Sequence, residues 1–188
     1  MKKLTILIDM DDVLDDLLEV WIEELNSLFG TSVKADEVTD WNLQKFFPTL
    51  SKKSITTPLF WGCFWDNIKP KFGAVKYTQK MMEDGHDLYV VTATHPQTIA
   101  AKFSKVLFRY FPFITYDHVI IASKKQMVLG DVLIDDAPHN LVGGRYKGIL
   151  FKAPHNASFD AEAHGLIRAN DWNEVYRIVC ELAQEEEN

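Results

Sequence analysis

The chain has 188 residues, a formal net charge of −7 at pH 7, 47% hydrophobic residues and 25% charged residues. A chain of that size holds one core with an inserted subdomain, since domains run to roughly 100 to 200 residues. The acidic balance excludes a broad nucleic-acid-binding face, which must be basic to meet phosphate backbones, and no apolar run approaches the roughly 18 residues of a membrane span. Lys2 and Lys3 precede an apolar run that Asp9 cuts short, too early for a secretory leader. Cys63 and Cys180 stand far apart and in no metal-binding spacing, so a reducing, cytoplasmic setting is expected.

Leu4 to Ile8 suffices for one buried strand of a parallel sheet, and Asp9, Asp11 and Asp12 follow at once. Unpaired carboxylates at the end of a core strand are costly, so the cluster points to a held cation or to proton transfer. A solvated acidic loop is the alternative, and a second acidic pair downstream, Asp135 and Asp136, weighs against it. From Asp16 the apolar spacing of Leu17, Leu18, Trp21, Ile22, Leu25, Leu28 and Phe29 predicts a helix that Gly30 ends. No clear strand follows up to residue 72, and Pro48 and Pro58 break the pattern. Four of the five tryptophans lie in this part or on the helix leading into it. Residues 15–72 are therefore expected to form a small helical insert, with residues 1–14 and 73–188 as an α/β core. Its aromatics serve either as a lid over a flat ligand or as the core of a small subdomain.

A helix is expected from Gly73 to Asp84, then a strand over Leu88 to Val91 that closes on Thr92-Ala93-Thr94-His95-Pro96. Pro96 suits the first residue of a further helix reaching about Arg109. Strands are expected at His118 to Ala122, Val132 to Ile134 and Ile149 to Phe151. A last helix starts from Asp171, with Glu185 to Glu187 as a frayed end. Alternating strands and helices imply a parallel, Rossmann-like sheet flanked by helices, with the ligand crevice at the carboxyl ends of the strands. Those ends carry Asp9 and Asp11, Thr92, Lys125 just past the third strand, and Asp135 with Asp136, the set that phosphoryl chemistry with a hard cation needs. His95, His139 and His155 lie in or near strand-end loops with no partner at metal-binding spacing, and read as hydrogen-bonded loop residues.

Asp-x-Asp after the first strand, Thr after the second, then Lys and Asp-Asp, resembles the haloacid dehalogenase superfamily of aspartyl phosphatases. More narrowly, the chain resembles the 5′(3′)-deoxyribonucleotidases, which carry a small helical cap between the first two motifs. D-M-D-D-V-L-D-D-L stands against that family's D-M-D-G-V-L-A-D-F. V-V-T, an L-I-D-D block with its Lys ten residues earlier, L-F-K-A-P-H-N and A-N-D-W-N-E extend the likeness over nearly the whole chain.

The resemblance implies a Mg²⁺-dependent phosphomonoesterase in which Asp9 attacks phosphorus and Asp11 acts as general acid and base. Mg²⁺ is then held by Asp9, the Asp11 backbone carbonyl and Asp136, with Asp135 bound directly or through water, while Lys125 and Thr92 contact the phosphoryl oxygens. Lys124 and Thr94 are the substitutes for the last two. Asp12 stands where the family has Gly, Leu17 replaces an aromatic of the base pocket, Ala93 replaces a hydroxyl residue and Ser123 an Arg. These departures weaken the inference to a pyrimidine deoxynucleotide, and Trp41, Phe60, Trp61 and Phe64 are the aromatics available for stacking instead. The expected partner is a small phosphorylated substrate, a nucleoside monophosphate, with no nucleic-acid polymer and no membrane; a homodimer stays open. Sugar phosphates or other small phosphomonoesters are the alternative substrates, and a non-catalytic binder of a phosphorylated metabolite is the alternative of another class.

Overall fold

The computed structural model describes residues 2–185. Its strands are β1 (Thr5–Ile8), β2 (Asp87–Thr92), β3 (Val119–Ile121), β4 (Val132–Asp135), β5 (Lys147–Phe151) and β6 (Ile167–Ala169). Its helices are α1 (Leu17–Phe29), α2 (Lys52–Thr56), α3 (Ala74–Glu83), α4 (Ile99–Lys102), α5 (Phe108–Tyr110), α6 (Pro138–Leu141) and α7 (Trp172–Glu185). All strand pairs are parallel, in the order β3-β2-β1-β4-β5-β6. The chain builds outward from β1 to one side, then crosses to β4 on the other. Ile8 of β1 sits level with Val90 of β2 and Ile134 of β4. The residues that follow these positions therefore share one crevice, at the point where the strand order reverses.

Side chains alternate across the sheet, as the strand period of two requires. Ile6 and Ile8 face the larger core, which α3, α7 and the 99–110 segment cover through Met81, Val106, Trp172 and Val179. Leu7, Val91, Leu133 and Leu150 face the other side, where α6 and irregular turns carrying Ala161 and Leu166 cover them.

Residues between β1 and α3 leave the core through a narrow neck. Asp16 N–H donates to the Lys69 carbonyl and Lys71 N–H to the Leu14 carbonyl, both across a bridge between Asp15 and Pro70. Within this segment Ile22, Leu25, Val38, Leu43, Phe47 and Ile55 make a core of their own. Gly30 ends α1 in the left-handed region at φ 65°, with its N–H on the Asn26 carbonyl.

The expected helix from Pro96 to Arg109 is interrupted. Residues 96–98 form a turn, because the Thr98 hydroxyl donates to the His95 carbonyl and Gln97 N–H to His95 Nδ1, and these local bonds compete with helix. Regular helix starts at Ile99 and passes through a π-helical segment, Phe103–Leu107. The expected strand at His118 to Ala122 is shorter, since His118 belongs to a preceding turn. The sixth strand was not expected: its three residues include Arg168 and show no apolar run. Of the expected frayed end, Glu186 and Glu187 lie outside the described residues.

Candidate active site

Asp9 follows β1 directly, and its N–H continues the sheet by donating to the Ile134 carbonyl at 2.9 Å. Its carboxylate is buried and lies 2.6 Å from Lys125 Nζ, which also reaches Asp135 Oδ2 at 2.7 Å. Lys125 is 1% exposed. Burial works against its charge, but Asp9 and Asp135 outweigh burial and push Lys125 up to about 12. Asp135 is fully engaged: Oδ1 accepts Ala137 N–H and the Asn140 amide, and Oδ2 accepts the Asn140 amide as well as Lys125.

Carboxylate oxygens of Asp9, Asp135 and Asp136 lie within 4.8 Å of one another. Burial, and then the neighbouring Asp135, raise Asp9 and Asp136 well above the ordinary carboxylate range. Asp136 Oδ2 is buried and has no hydrogen-bond partner among the described residues. A crowded set of hard oxygen donors with one oxygen left unsatisfied fits a small divalent cation, which would offset the surplus negative charge.

Asp11 is held from behind. Lys102, 1% exposed, donates to Asp11 Oδ2 at 2.7 Å and to Thr92 Oγ1 at 2.9 Å. An ammonium group only donates, so the Thr92 hydroxyl keeps its own proton free for another acceptor. Asp11 Oδ1 is buried with no hydrogen-bond partner among the described residues.

The rest of the acidic loop caps α1. Asp12 Oδ1 accepts Leu18 N–H at 2.9 Å and Asp15 Oδ1 accepts Leu17 N–H at 3.2 Å, which satisfies donors that a helix start leaves open. Asp16 is the N-cap of α1, as expected, its carbonyl accepting Val20 N–H at 3.3 Å, while its side chain pairs with Lys71 at 2.7 Å. Asp12 sits at φ 58°, a left-handed conformation that glycine adopts at less cost. Burial raises its carboxyl to about 6 against the opposing pull of Lys71.

Above the carboxylates lies a cavity of about 320 Å³. Asp9, Asp11, Lys125 and Asp136 line its polar end, and Leu17, Leu18, Trp21, Val38, Trp41, Leu43 and Leu59 line its apolar part. The Trp41 ring centroid is 3.8 Å from that of His155.

Residues 2–185 match the family described as 5′ nucleotidase, deoxy (pyrimidine), cytosolic type C protein. The chain belongs to this family. The 5′(3′)-deoxyribonucleotidase of Bacillus subtilis is 34% identical over 179 residues, covering 94% of this chain and 98% of the relative. That of Clostridium acetobutylicum is 29% identical over 184 residues, covering 96% and 97%. Solved structures share the fold. A haloacid dehalogenase family hydrolase from Deinococcus radiodurans, with bound phosphate and sodium, is 13% identical with a TM-score of 0.62 and 95% of each chain covered. A haloacid dehalogenase-like hydrolase from Streptococcus pneumoniae is 15% identical with a TM-score of 0.65, covering 94% of this chain and 98% of that one. As a member of the 5′ nucleotidase family the chain is a hydrolase of phosphomonoesters.

Of the residues expected at this nucleotidase site, Asp9, Asp11, Lys125, Asp136, Leu17, Ala93 and Trp41 line the cavity, and Thr92 and Asp135 stand directly behind it. Thr94 does not line it; its hydroxyl lies 3.0 Å from that of Thr98. Trp61 lines a separate depression with Leu28, Phe29 and Pro58. Phe64 is 2% exposed, packs edge-on against Trp65 in the main core and is not among the residues that line the cavity. Phe60 lies edge-on to His95, away from the cavity. Lys102, Trp21 and His155 belong to the site and were not singled out as site residues. His155, in the turn Pro154–Asn156, lines the cavity with its Nε2 2.8 Å from Asp136 Oδ2. Burial holds it below the ordinary histidine range.

Proposed function

We propose that the chain hydrolyses deoxyribonucleoside monophosphates through an aspartyl-phosphate on Asp9, with Mg²⁺ as cofactor. The observation that supports this most is Asp9 at the end of β1, its charge shared with Lys125, beside an Asp11 fixed by Lys102. Asp9 attacks phosphorus, the bond from phosphorus to the ester oxygen breaks, and Asp11 gives its proton to that oxygen. Water then attacks the aspartyl-phosphate, Asp11 takes the water's proton, and phosphate leaves Asp9 free. Lys125 neutralises the phosphoryl oxygens, and the free Thr92 hydroxyl proton is donated to one of them. Mg²⁺ would be held by Asp9, Asp136 and the Asp11 backbone carbonyl, with Asp135, whose oxygens already accept from Lys125, Ala137 and Asn140, supporting the site from behind, and would supply charge that removes the repulsion between carboxylate and phosphate.

Residues 15–72 act as a cap and the remainder as the catalytic core. The apolar part of the cavity, with Leu17, Leu18, Trp21, Trp41 and Leu43, offers a flat base a surface to pack on, and Asp40, His139 and Asn140 of the same lining offer polar partners. The relatives' names point the same way, being those of 5′(3′)-deoxyribonucleotidases. No described helix is long and apolar enough to cross a membrane, and both cysteines are free, in keeping with a cytoplasmic enzyme acting on a small nucleotide.

The test is phosphate release from a panel of nucleoside monophosphates and sugar phosphates with Mg²⁺, beside an Asp9→Asn control. Release from deoxyribonucleotides that the control lacks is expected. Preference for sugar phosphates would overturn the substrate reading, and equal release from Asp9→Asn would overturn the mechanism.

A further inference from the structure

The Lys102 ammonium group, which holds Asp11, has three protons to place. Two are donated, to Asp11 Oδ2 at 2.7 Å and to Thr92 Oγ1 at 2.9 Å. No other oxygen or nitrogen among the described residues accepts the third. The side chain is buried, and a buried ammonium with a bare N–H is costly. A different kind of partner is present. Lys102 Nζ lies over the indole of Trp65, 6.0 Å from the ring centroid. A tryptophan face carries partial negative charge and attracts a cation, more strongly where water is excluded. An aliphatic side chain in its place would exclude water and offer nothing to the charge.

Trp65 is itself fixed. It is buried, its Nε1–H donates to the Leu59 carbonyl at 2.9 Å, and the Phe64 ring meets it edge-on at 5.5 Å. Leu59 in turn lines the cavity. The turn that carries Trp65, Gly62–Asp66, is clamped to the segment that carries Lys102. Asp66 pairs with Lys105 at 2.5 Å, and Lys69 Nζ donates to the Tyr110 hydroxyl at 3.1 Å. Lys102 and Lys105 are three residues apart in the helical stretch, so both cations leave it on the face toward this turn.

We propose that Trp65 is a positioning residue for the reaction: its indole face takes the third side of the Lys102 ammonium and keeps that group on Asp11 and Thr92. The root of the insert thereby fixes the acid and base as well as joining the insert to the core. The ring touches no reacting atom, so its loss lowers kcat and leaves KM in place. This role rests on Asp11 being the acid and base, as proposed above.

The test is steady-state kinetics on a deoxyribonucleoside monophosphate with Mg²⁺, for the wild type, Trp65→Phe, Trp65→Leu, Lys102→Met and the double variant Trp65→Leu, Lys102→Met. Trp65→Phe keeps an aromatic face and is expected to hold kcat within about twofold of the wild type. Trp65→Leu keeps apolar bulk without that face and is expected to lower kcat about tenfold at unchanged KM. In the Lys102→Met background it is expected to have no further effect. Normal kcat in Trp65→Leu, an equal loss in Trp65→Phe, or the same loss in both backgrounds overturns the positioning role and leaves the reading of Asp11 intact. Normal kcat in Lys102→Met removes the link from Lys102 to Asp11 and the positioning role with it. Where Trp65→Leu does not fold, the protein is produced with increasingly fluorinated tryptophans, which drain charge from the ring face and keep its shape. The wild-type kcat is then expected to fall stepwise, and that of Trp65→Phe to stay level. Trp21 and Trp41 of the cavity are fluorinated in both proteins and cancel in the comparison. A level wild-type series, or the same fall in both proteins, overturns the role.

Discussion

Lys102 Nζ lies 2.7 Å from Asp11 Oδ2, an ion pair between a buried lysine and a half-buried aspartate 91 positions apart. It holds one oxygen of the proposed acid and base and leaves the other available. Lys102→Met preserves the side chain's length but frees the carboxylate. It is expected to lower kcat by about a hundredfold, in the range that a positioned acid and base contributes, with little change in KM. Steady-state kinetics on a deoxyribonucleotide check this, and a near-normal kcat would contradict the assigned role.

Lys125 stands between Asp9 and Asp135, at 2.6 and 2.7 Å. Lys125→Met leaves these buried carboxylates facing each other without their cation. A loss of about 3–5 kcal/mol in folding stability is expected, as for other buried pairs that lose one partner. Urea denaturation measures it, and added Mg²⁺ should recover part of the loss by binding the folded state.

Asp12 combines a left-handed backbone at φ 58° with a side chain that caps α1 through Leu18. Asp12→Ala keeps the backbone strain and loses the cap, for an expected cost of about 1 kcal/mol. Asp12→Gly also loses the cap but relieves the strain, so it should lie above Asp12→Ala in stability. Chemical denaturation of the two variants ranks them; the reverse order would contradict this account of the loop.

These cases also show what could be read from the sequence. Asp9, Asp11, Lys125, Asp135 and Asp136 were legible because each follows a short apolar strand, and parallel strands bring such ends together. Lys102 was not, because it sits inside a helical stretch where a lysine ordinarily points to solvent, and only the tertiary fold buries it against Asp11. The aromatic insert was visible as a composition. Which ring would face the cavity was not, since Trp41, Trp61 and Phe64 differ only in the face the fold turns inward. The six-stranded parallel sheet followed the expected alternation, whereas β6 stayed hidden because Arg168 interrupts its three residues. His155 looked ordinary because its partners, Asp136 and Trp41, come from distant parts of the chain.

His86 gives a pH dependence remote from the site. Its Nδ1 accepts the Leu4 N–H at 3.1 Å, and burial lowers it from the ordinary 6.5. The folded chain therefore binds this proton less readily than the unfolded chain does. Its stabilisation is fully present above about pH 6.5 and is lost as pH falls through the lower, folded value. Thermal unfolding between neutral and mildly acidic pH should fall more steeply for the wild type than for His86→Phe. Parallel curves would contradict the assignment.

The most direct test of the central claim is reductive trapping during turnover. The protein is mixed with a deoxyribonucleoside monophosphate and Mg²⁺, quenched with borohydride and mapped by mass spectrometry. The account predicts conversion of the Asp9 carboxyl to an alcohol in the wild type, dependent on substrate and absent from Asp9→Asn. Phosphate release at full rate with Asp9 unmodified, or trapping at another carboxylate, would contradict it.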